Sequence, residues 1–570
     1  MRMYIAALLV LFLVTVPDLG RAAPILPVIS VVDISGFTVD ERFTAVCLEG
    51  IANRTGPHVF LDTGSSLRWM QVDFGDSSNP SANPVWAAQM KKEYSSIGDY
   101  WIAELTRRRL FHFQQMTLGD LISKTRPLLK GRIRYQTVDD DLCIAATMSG
   151  LKDAVPMTDV VYTKFVHGGD LPTVFDISSL YSQFNPLQSN RISEHQWMNN
   201  TLIGECGTDG AISRNKTYGL DMHDTMVDID LGVEHRWAAY DLSYLSNATK
   251  NPDDKPDALY GFDLPDKQLI DTILKRLRPF SPVIGWGGPD ENNTVRRITM
   301  DKAVLICGGA GNGSFFEHLP LLTKKPSRQL PAAKEALTNL IYVVFMVNEG
   351  DTLKYASNLQ SLTWAEPERG EIPINWGMDP LLCERFPGLM SYYTSTSTPN
   401  DYFFAATSGW GYTHPDNLPP DSVEQYAQLV KSGSKRAGTP YLDVWWDGGL
   451  RSNGQFYSFF QQTGAAGITQ WSDHQGVEYS PIDGAPIVYS NYYYTLTSDG
   501  PQKFANRLIQ DEAGVKPPWF VVVYGGSPFQ FAEVARRLPA TFKVVRLDAF
   551  FDLVQQARPL IEGRTWKPGS

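Results

Sequence analysis

The chain has little cysteine, five residues in 570, and none stands in a Cys-x-x-Cys pair. Thiolate zinc and iron–sulfur sites need closely spaced cysteines, so the spacing argues against them. The five are scattered, which leaves room for one or two long-range disulfides in an oxidising compartment: Cys47, Cys143, Cys206, Cys307 and Cys383. A long basic run is also missing, and the formal net charge is −11. Nucleic acid and anionic membranes bind through clustered Lys and Arg, so neither is predicted as a main partner.

Several motifs of common enzyme classes are missing as well. No G-x-G-x-x-G or G-x-x-x-x-G-K-[ST] follows any predicted strand, which argues against a nucleotide cradle. Ser408 and Gly409 lack the preceding glycine of a nucleophile elbow, so serine hydrolase chemistry is not predicted. The His-x(3–5)-His spacing of a metal-dependent deacetylase is missing too, which argues against metal-dependent ester or amide hydrolysis.

The only long apolar run lies at the start of the chain. Arg2 precedes the apolar residues 5–16, and Gly20 and Ala22 offer small residues for cleavage. This run is shorter than the roughly 20 residues of a spanning helix. We expect residues 1–22 to be a signal peptide. The mature protein is then soluble, without a membrane span, and secreted to the extracellular space or the lumen of the secretory pathway.

Export makes the Asn-x-Ser/Thr triplets candidate glycosylation sites. Six asparagines begin such a triplet: Asn53, Asn199, Asn215, Asn247, Asn292 and Asn312. None follows Asn312, so we expect the glycans on the front part of the chain.

Residues 25–330 alternate short apolar strands with amphipathic stretches. Residues 28–33 are predicted as a strand, 40–51 as a helix and 58–62 as the next strand. This rhythm is typical of a parallel sheet with helical crossovers. A long insert, residues 175–266, is rich in Asn, Asp, Ser and Gly. We expect it to be partly irregular, with helices near residues 192–198 and 235–245.

Residues 331–570 show a sharper rhythm after a Pro- and Lys-containing bridge at 319–331. Eight apolar strands are predicted, at residues 341–347, 372–376, 402–407, 441–445, 466–471, 486–490, 519–524 and 542–547. Helical stretches lie between several of them. The fold class is therefore α/β: an N-terminal parallel-sheet region followed by a C-terminal (β/α)-barrel-like domain, with an open doubly wound sheet as the alternative.

Acids and aromatic residues recur just after these strands. Because barrel enzymes carry their active residues at the carboxyl ends of the strands, the recurrence favours one shared site. Glycoside cleavage commonly uses two carboxyl groups, and apolar surroundings raise the pKa of one of them. The catalytic candidates are Asp351 and Asp447, then Glu349 and Asp473. The substrate-binding candidates are Trp376, Trp410, Tyr412, His414, Trp446 and Trp471.

No resident cofactor is predicted, although Asp351, Asp447, Asp473 and His474 could hold a Ca²⁺ or Mg²⁺ ion through oxygen ligands. The substrate is expected to be an oligo- or polysaccharide. A lectin-like protein that binds carbohydrate without turnover is the alternative. Both readings need ring-stacking tryptophans, but only the enzyme needs paired carboxylates at catalytic separation.

The third of these strand ends carries the most distinctive motif, Ser408-Gly-Trp-Gly-Tyr-Thr-His-Pro415. It resembles the signature of the GxGYxYP proteins, a family described as putative glycoside hydrolases, with His414 in place of the second tyrosine. Residues 342–352, 373–376 and 48–54 also look similar to family segments. The resemblance implies a carbohydrate-active hydrolase and assigns importance to the regions around Asp351 and Gly409.

Overall fold

The computed structural model describes residues 26–64, 82–136, 138–166, 171–184, 190–214, 228–241, 271–285, 291–309, 311–322, 329, 331–347, 352–446, 454–472, 474–490, 492–493, 500–562 and 567–568. The predicted signal peptide lies outside this part of the chain. No helix within the described residues is both long and apolar enough to cross a membrane.

The N-terminal part opens with the strand–helix–strand unit that the sequence predicts. Strand β1 (Val28–Asp33) and strand β2 (Val59–Asp62) are parallel, and helix α1 (Val39–Asn53) connects them. A capping box starts the helix, since Thr38 and Glu41 each accept a hydrogen bond from the other's backbone N–H. The four central residues of β1 are buried. Burial of consecutive residues means that both faces are covered, as is usual in parallel sheets.

The rest of the N-terminal part repeats this alternation. Its elements are α2 (Pro84–Glu93), α3 (Ile97–Arg107), β3 (His112–Gln115), α4 (Leu118–Thr125), β4 (Gly131–Arg134), α5 (Val138–Lys152), β5 (Ala154–Met157), α6 (Asp159–Phe165), β6 (Thr173–Asp176), α7 (Asn190–Thr201), β7 (Ala211–Arg214), α8 (Ile229–His235), β8 (Ala238–Asp241), β9 (Pro282–Gly285), α9 (Glu291–Met300), β10 (Val304–Cys307) and α10 (Gly313–Glu317). The strands form three sheets, with orders β2-β1-β3, β5-β4-β6 and β10-β9-β7-β8. Every pairing is parallel, as the sequence predicts.

The described residues of the predicted insert, 175–184, 190–214 and 228–241, are more regular than expected. The helix near residues 192–198 is present as α7, but the helix predicted near 235–245 is wrong over residues 238–241. Helix α8 ends at His235 because Arg236 adopts a left-handed φ of 58°. The chain then forms β8, which pairs with β7. Residues 238–240 are buried, so pairing inside a sheet overrides the helical pattern.

The C-terminal part contains the following elements: β11 (Ile341–Val347), α11 (Thr352–Ser357), α12 (Leu359–Trp364), β12 (Ile374–Met378), α13 (Pro380–Arg385), α14 (Pro387–Thr396), β13 (Asp401–Ala405), α15 (Val423–Ala437), β14 (Tyr441–Val444), α16 (Gly454–Thr463), β15 (Gly467–Trp471), β16 (His474–Tyr479), β17 (Pro486–Ser490), β18 (Tyr492–Tyr493), α17 (Pro501–Asp511), β19 (Trp519–Tyr524), α18 (Pro528–Ala535), β20 (Phe542–Val544), α19 (Leu547–Ile561) and β21 (Lys567–Pro568). All eight predicted strands are present: seven agree within two residues at each end, and the strand predicted at 542–547 ends three residues early, at Val544.

These strands form one curled sheet in the order β18-β19-β11-β12-β13-β14-β15-β17-β16-β21. The pairings from β18 to β17 are parallel, and β16 is antiparallel to both of its neighbours. Strand β20 lies outside this order and pairs in parallel with the first three residues of β11. The α/β class is confirmed, and the sheet has the shape of a half-barrel.

The concave side of this sheet is filled by its own side chains and by helix α19. Val344, Phe404 and Val522 belong to one buried cluster with Phe550 and Leu553 of the helix. All five side chains are fully buried. The helix therefore packs against the concave side of the sheet.

No disulfide joins any of the five cysteines, all of which lie in the described part. Cys47 is in α1, Cys143 in α5, Cys307 in β10 and Cys383 in α13. The cysteines belong to separate elements, which gives the anticipated long-range disulfides no support here.

Candidate functional site

The carboxyl ends of the parallel strands lie along one edge of the curled sheet, called here the C-terminal edge. Val347, Val444 and Trp471 are the last residues of β11, β14 and β15. The predicted catalytic acids follow these strands, but all four lie outside the described residues: Glu349, Asp351, Asp447 and Asp473. Each stays a prediction, as does the ion site proposed for three of them with His474.

The Gly-x-Gly-Tyr motif forms a tight loop after β13. Ser408, Gly409 and Gly411 have φ values of 62°, 91° and 65°. Glycine is required at Gly411, because a Cβ there would lie 2.6 Å from Cβ of Val304 in the N-terminal part. At Gly409 a Cβ would lie 2.6 Å from a methyl group of Val430. Both glycines thus allow close approach of the loop to neighbouring elements.

The backbone of Tyr412 continues this contact. Its N–H donates to the carbonyl of Leu305 at 2.8 Å, and its carbonyl accepts from the N–H of Leu305 at 3.2 Å. Leu305 belongs to β10 of the N-terminal part, so the motif loop joins the two parts of the chain. The ring of Tyr412 is fully buried and meets Trp445 edge-on at 5.9 Å.

Burial corrects most of the predicted sugar-stacking residues. Trp410, Tyr412 and His414 are 5%, 0% and 2% exposed, so the loop presents no open aromatic platform. Trp376 is fully buried, and its indole N–H donates to Asp401 at 2.9 Å. Trp446 is 7% exposed and packs edge-on against Phe456. Their large apolar rings are used in the core, which is the commoner role of tryptophan and tyrosine.

Trp471 is different, because it is only half-buried at the C-terminal edge. Its ring meets Tyr524 edge-on at 6.1 Å. Trp445 is half-buried as well and was not among the predicted residues. These two rings are the described tryptophans at this edge that remain open to a ligand.

Sequence reasoning missed a carboxylate two positions before Trp445 in the chain. Asp443 is fully buried in β14. Its Oδ1 accepts hydrogen bonds from Thr469 Oγ1 at 2.6 Å and from Tyr524 Oη at 2.9 Å. The carbonyl of Asp443 also accepts from the N–H of Ser408 at 2.8 Å. Asp443 thus links three strands and the motif loop. It stands within a strand, where a search confined to residues after strands did not look.

Asp379, a strand-end acid that was not among the catalytic candidates, supports the motif loop. It follows β12, is 4% exposed, and accepts hydrogen bonds from the N–H groups of Leu381 and Gly411 at 2.8 and 3.0 Å. Burial raises the pKa of this carboxyl to about 7, although the two N–H groups oppose the rise. Oδ2 has no hydrogen-bond partner. Asp379 therefore holds the loop in place and is closed to substrate.

The predicted glycosylation sites divide in three ways. Asn53 and Asn312 are corrected, because both are buried and hydrogen bonded to backbone groups. An amide in the core cannot carry a glycan in the folded protein. Asn292 is exposed and Asn199 half-buried, so both stay predictions. Asn215 and Asn247 lie outside the described residues.

Two comparisons place this geometry among known proteins. Residues 339–555 match the model of the GxGYxYP putative glycoside hydrolase C-terminal domain. A solved structure of a putative hydrolase from Bacteroides thetaiotaomicron is similar along nearly the whole chain. It has a TM-score of 0.71 and 16% identity, with 93% of this chain and 95% of that chain covered. At such low identity the likeness shows a shared fold.

Other comparisons add little. A putative polysaccharide deacetylase from Mycobacterium smegmatis has a TM-score of 0.27 and 11% identity, with 42% of this chain and 99% of that chain covered, too low a score to support an argument. No curated protein sequence matches the chain. The evidence for family therefore rests on the C-terminal part: residues 339–555 match the GxGYxYP C-terminal domain model, and the resemblance seen in the sequence is confirmed over this span.

Proposed function

We propose that the protein is a secreted glycoside hydrolase that cleaves an oligo- or polysaccharide at the C-terminal edge of the curled sheet. The match of residues 339–555 to a glycoside hydrolase domain model carries this proposal. The printed description of the Bacteroides thetaiotaomicron neighbour, a putative hydrolase, points the same way.

The described part of the edge suits carbohydrate chemistry. Trp445 and Trp471 offer partly exposed aromatic faces for sugar rings. Two positions before Trp445, Asp443 is held by two hydroxyl donors, which fix its carboxylate in one orientation. In our proposal Asp443 is a positioning residue, because it is buried and braces the strand that leads to Asp447.

The bond-breaking groups in this proposal are two of the four acids that follow the strands. One carboxylic acid protonates the departing glycosidic oxygen, and the other carboxylate attacks the sugar carbon or activates water. Asp351 and Asp447 are the first candidates, because they come within four residues of the ends of β11 and β14 in the sequence.

We further propose that the curled sheet closes into a barrel. Tyr492 of β18 pairs with Val523 of β19, and β18 follows β17 after a single residue. Ser490 of β17 also donates a hydrogen bond to the carbonyl of Val522 in β19. These contacts between the two ends of the parallel order support the proposed closure.

The test is an oligosaccharide screen with the wild type, Asp351→Asn and Asp447→Asn. We expect each substitution to lower kcat by about 1,000-fold or more while saccharide binding is retained, because one of two catalytic carboxyls is lost. Asp552→Asn is the matched control, since Asp552 is exposed on α19 and hydrogen bonds Gln556 within its own helix. Binding by the wild type without turnover of any member of the panel would favour the lectin-like alternative.

A further inference from the structure

Two Glu-His dipeptides of the N-terminal part face each other across two helix ends. Glu234 and His235 end α8, and Glu317 and His318 lie at the end of α10. These four residues are called here the Glu–His cluster. They are separated by more than 80 positions in the sequence, so no metal-ligand spacing could reveal them.

The two dipeptides are paired crosswise. His235 Nε2 lies 2.6 Å from a carboxylate oxygen of Glu317, and His318 Nε2 lies 2.5 Å from Oε1 of Glu234. One ligand atom each of Glu234, His235 and Glu317 all lie within 4.8 Å of one another. A tetrahedral ion with bonds of about 2.0–2.1 Å needs ligand atoms about 3.3–3.4 Å apart. Side-chain rotation can bring these three atoms together around an ion, and His318 lies beside them through its contact with Glu234.

The surroundings keep the cluster in place and leave a carboxylate oxygen without a partner. Glu234 is 8% exposed, and its buried Oε2 accepts no hydrogen bond. The ring of His235 stacks on Trp237 at 4.8 Å, which fixes its plane. The half-buried His318 and Glu317 leave a route for an ion from solvent.

Two further buried acids lie close to the cluster. Glu49 of α1 and Asp230 of α8 are fully buried near Glu234, and neither oxygen of Glu49 has a hydrogen-bond partner. Arg385 opposes them from the C-terminal part, where its guanidinium lies 3.4 Å from Glu317. Buried oxygens without partners are costly, and a bound cation would satisfy them or stabilise their charge.

We propose that the Glu–His cluster binds one divalent transition-metal ion of the zinc class, through Nε2 of His235 and His318 and the carboxylates of Glu234 and Glu317. Two imidazoles with two carboxylates suit Zn²⁺, whereas Ca²⁺ and Mg²⁺ prefer oxygen alone. The ion takes the place of the two protons shared across the His–Glu contacts, and these protons pass to water. It joins α8 to α10 and has a structural role.

The test uses the full-length protein without a polyhistidine tag, stripped with a chelator and titrated with Zn²⁺ by calorimetry. We expect one equivalent to bind, and binding to weaken by about 100-fold in His235→Gln, because one of four ligands is lost. His112→Gln is the matched control, since His112 is exposed on β3 and is not one of the four cluster residues. Its affinity should equal that of the wild type.

A second measurement separates a built site from surface binding. Co²⁺ in the wild type should give the strong visible absorption of a tetrahedral centre, and Zn²⁺ but not Ca²⁺ should raise Tm. If His235→Gln does not fold, Glu317→Gln, at a half-buried position, replaces it. The proposal would be overturned if wild type and variant bound Zn²⁺ with equal affinity, or if the wild type did not bind it. The cluster would then be two hydrogen-bonded His–Glu pairs that bind no metal.

Discussion

Asp379 and Asp443 are both buried acids near the C-terminal edge, yet their surroundings give them different roles. Asp443 receives two side-chain hydroxyls and braces neighbouring strands. Asp379 receives two backbone N–H groups and supports the motif loop. At the residue scale, the partners of a carboxylate decide its part in the protein, and these partners come from distant segments.

Asp379 should make stability depend on pH. Its pKa of about 7 in the folded protein lies above the ordinary carboxyl value, so the folded state keeps a proton that the unfolded state releases. Its contribution to the free energy of unfolding is therefore complete below about pH 4 and falls by up to about 1.4 kcal/mol per pH unit as the pH rises toward 7. Asp379→Asn should remove this fall.

The measurement is urea unfolding of wild type and Asp379→Asn at intervals between pH 4 and 8. Asp483→Asn, at an exposed turn position, controls for the loss of one carboxylate. The same pH slope in wild type and Asp379→Asn would show that this carboxyl does not hold a proton in the folded protein.

At the element scale, the strands can be predicted from local pattern. The surface that each helix packs against is known only from the tertiary structure. Helix α19 has an ordinary amphipathic sequence, which the sequence analysis did not single out. In the structure it covers the concave side of the curled sheet through residues such as Phe550 and Leu553. The spacing of apolar residues along a helix shows which of its faces is buried. It does not show which part of the protein covers that face.

Truncation of a buried side chain of α19 should lower the stability of the protein. Phe550 is fully buried, and its ring meets Phe520 of β19 edge-on at 5.4 Å. Phe550→Ala should lower the free energy of unfolding by about 3–5 kcal/mol, because it leaves a cavity. Leu560→Ala on the same helix is the control, since Leu560 is 54% exposed. Chemical denaturation of the two variants checks the difference, and equal stability would contradict the packing of α19 in the core.

At the scale of the whole molecule, the N-terminal and C-terminal parts share one buried cluster of side chains. It includes Ile29 of β1, Leu305 of β10, Tyr412 of the motif loop and Val534 of α18. Trp101 of α3 also donates its indole N–H to the carbonyl of Ser357 at 2.6 Å. The motif loop therefore lies at the contact between the N-terminal and C-terminal parts, called here the joint.

Gly411→Ala tests this joint. A Cβ would meet Val304 at 2.6 Å, and φ is 65°, so strain and overlap act together. We expect the free energy of unfolding to fall by about 2–4 kcal/mol. Gly438→Ala is the matched control, because its φ is 73° but no atom lies within 4 Å of the added carbon. It should cost about 1–2 kcal/mol, from the backbone alone. A loss at Gly411 no larger than at Gly438 would argue against the close contact with β10.

Sequence reasoning correctly predicted the α/β class, the presence of eight strands in the C-terminal part and the position of the motif loop. Each depends on short-range patterns: apolar runs of strand length, and glycines where a turn needs positive φ. The same reasoning wrongly extended a helix over Ala238–Asp241, because the pairing of this segment with β7 comes from across the sheet.

The sequence by itself determined which residues could form strands, which turn needs glycine and where acids follow strands. Only the tertiary structure decided that Trp376 and Tyr412 are core residues, that Asp443 braces neighbouring strands, and that Glu234 meets His318. The reason is physical: periodicity along a chain is set by local geometry, whereas burial and side-chain partners depend on surfaces brought together by folding.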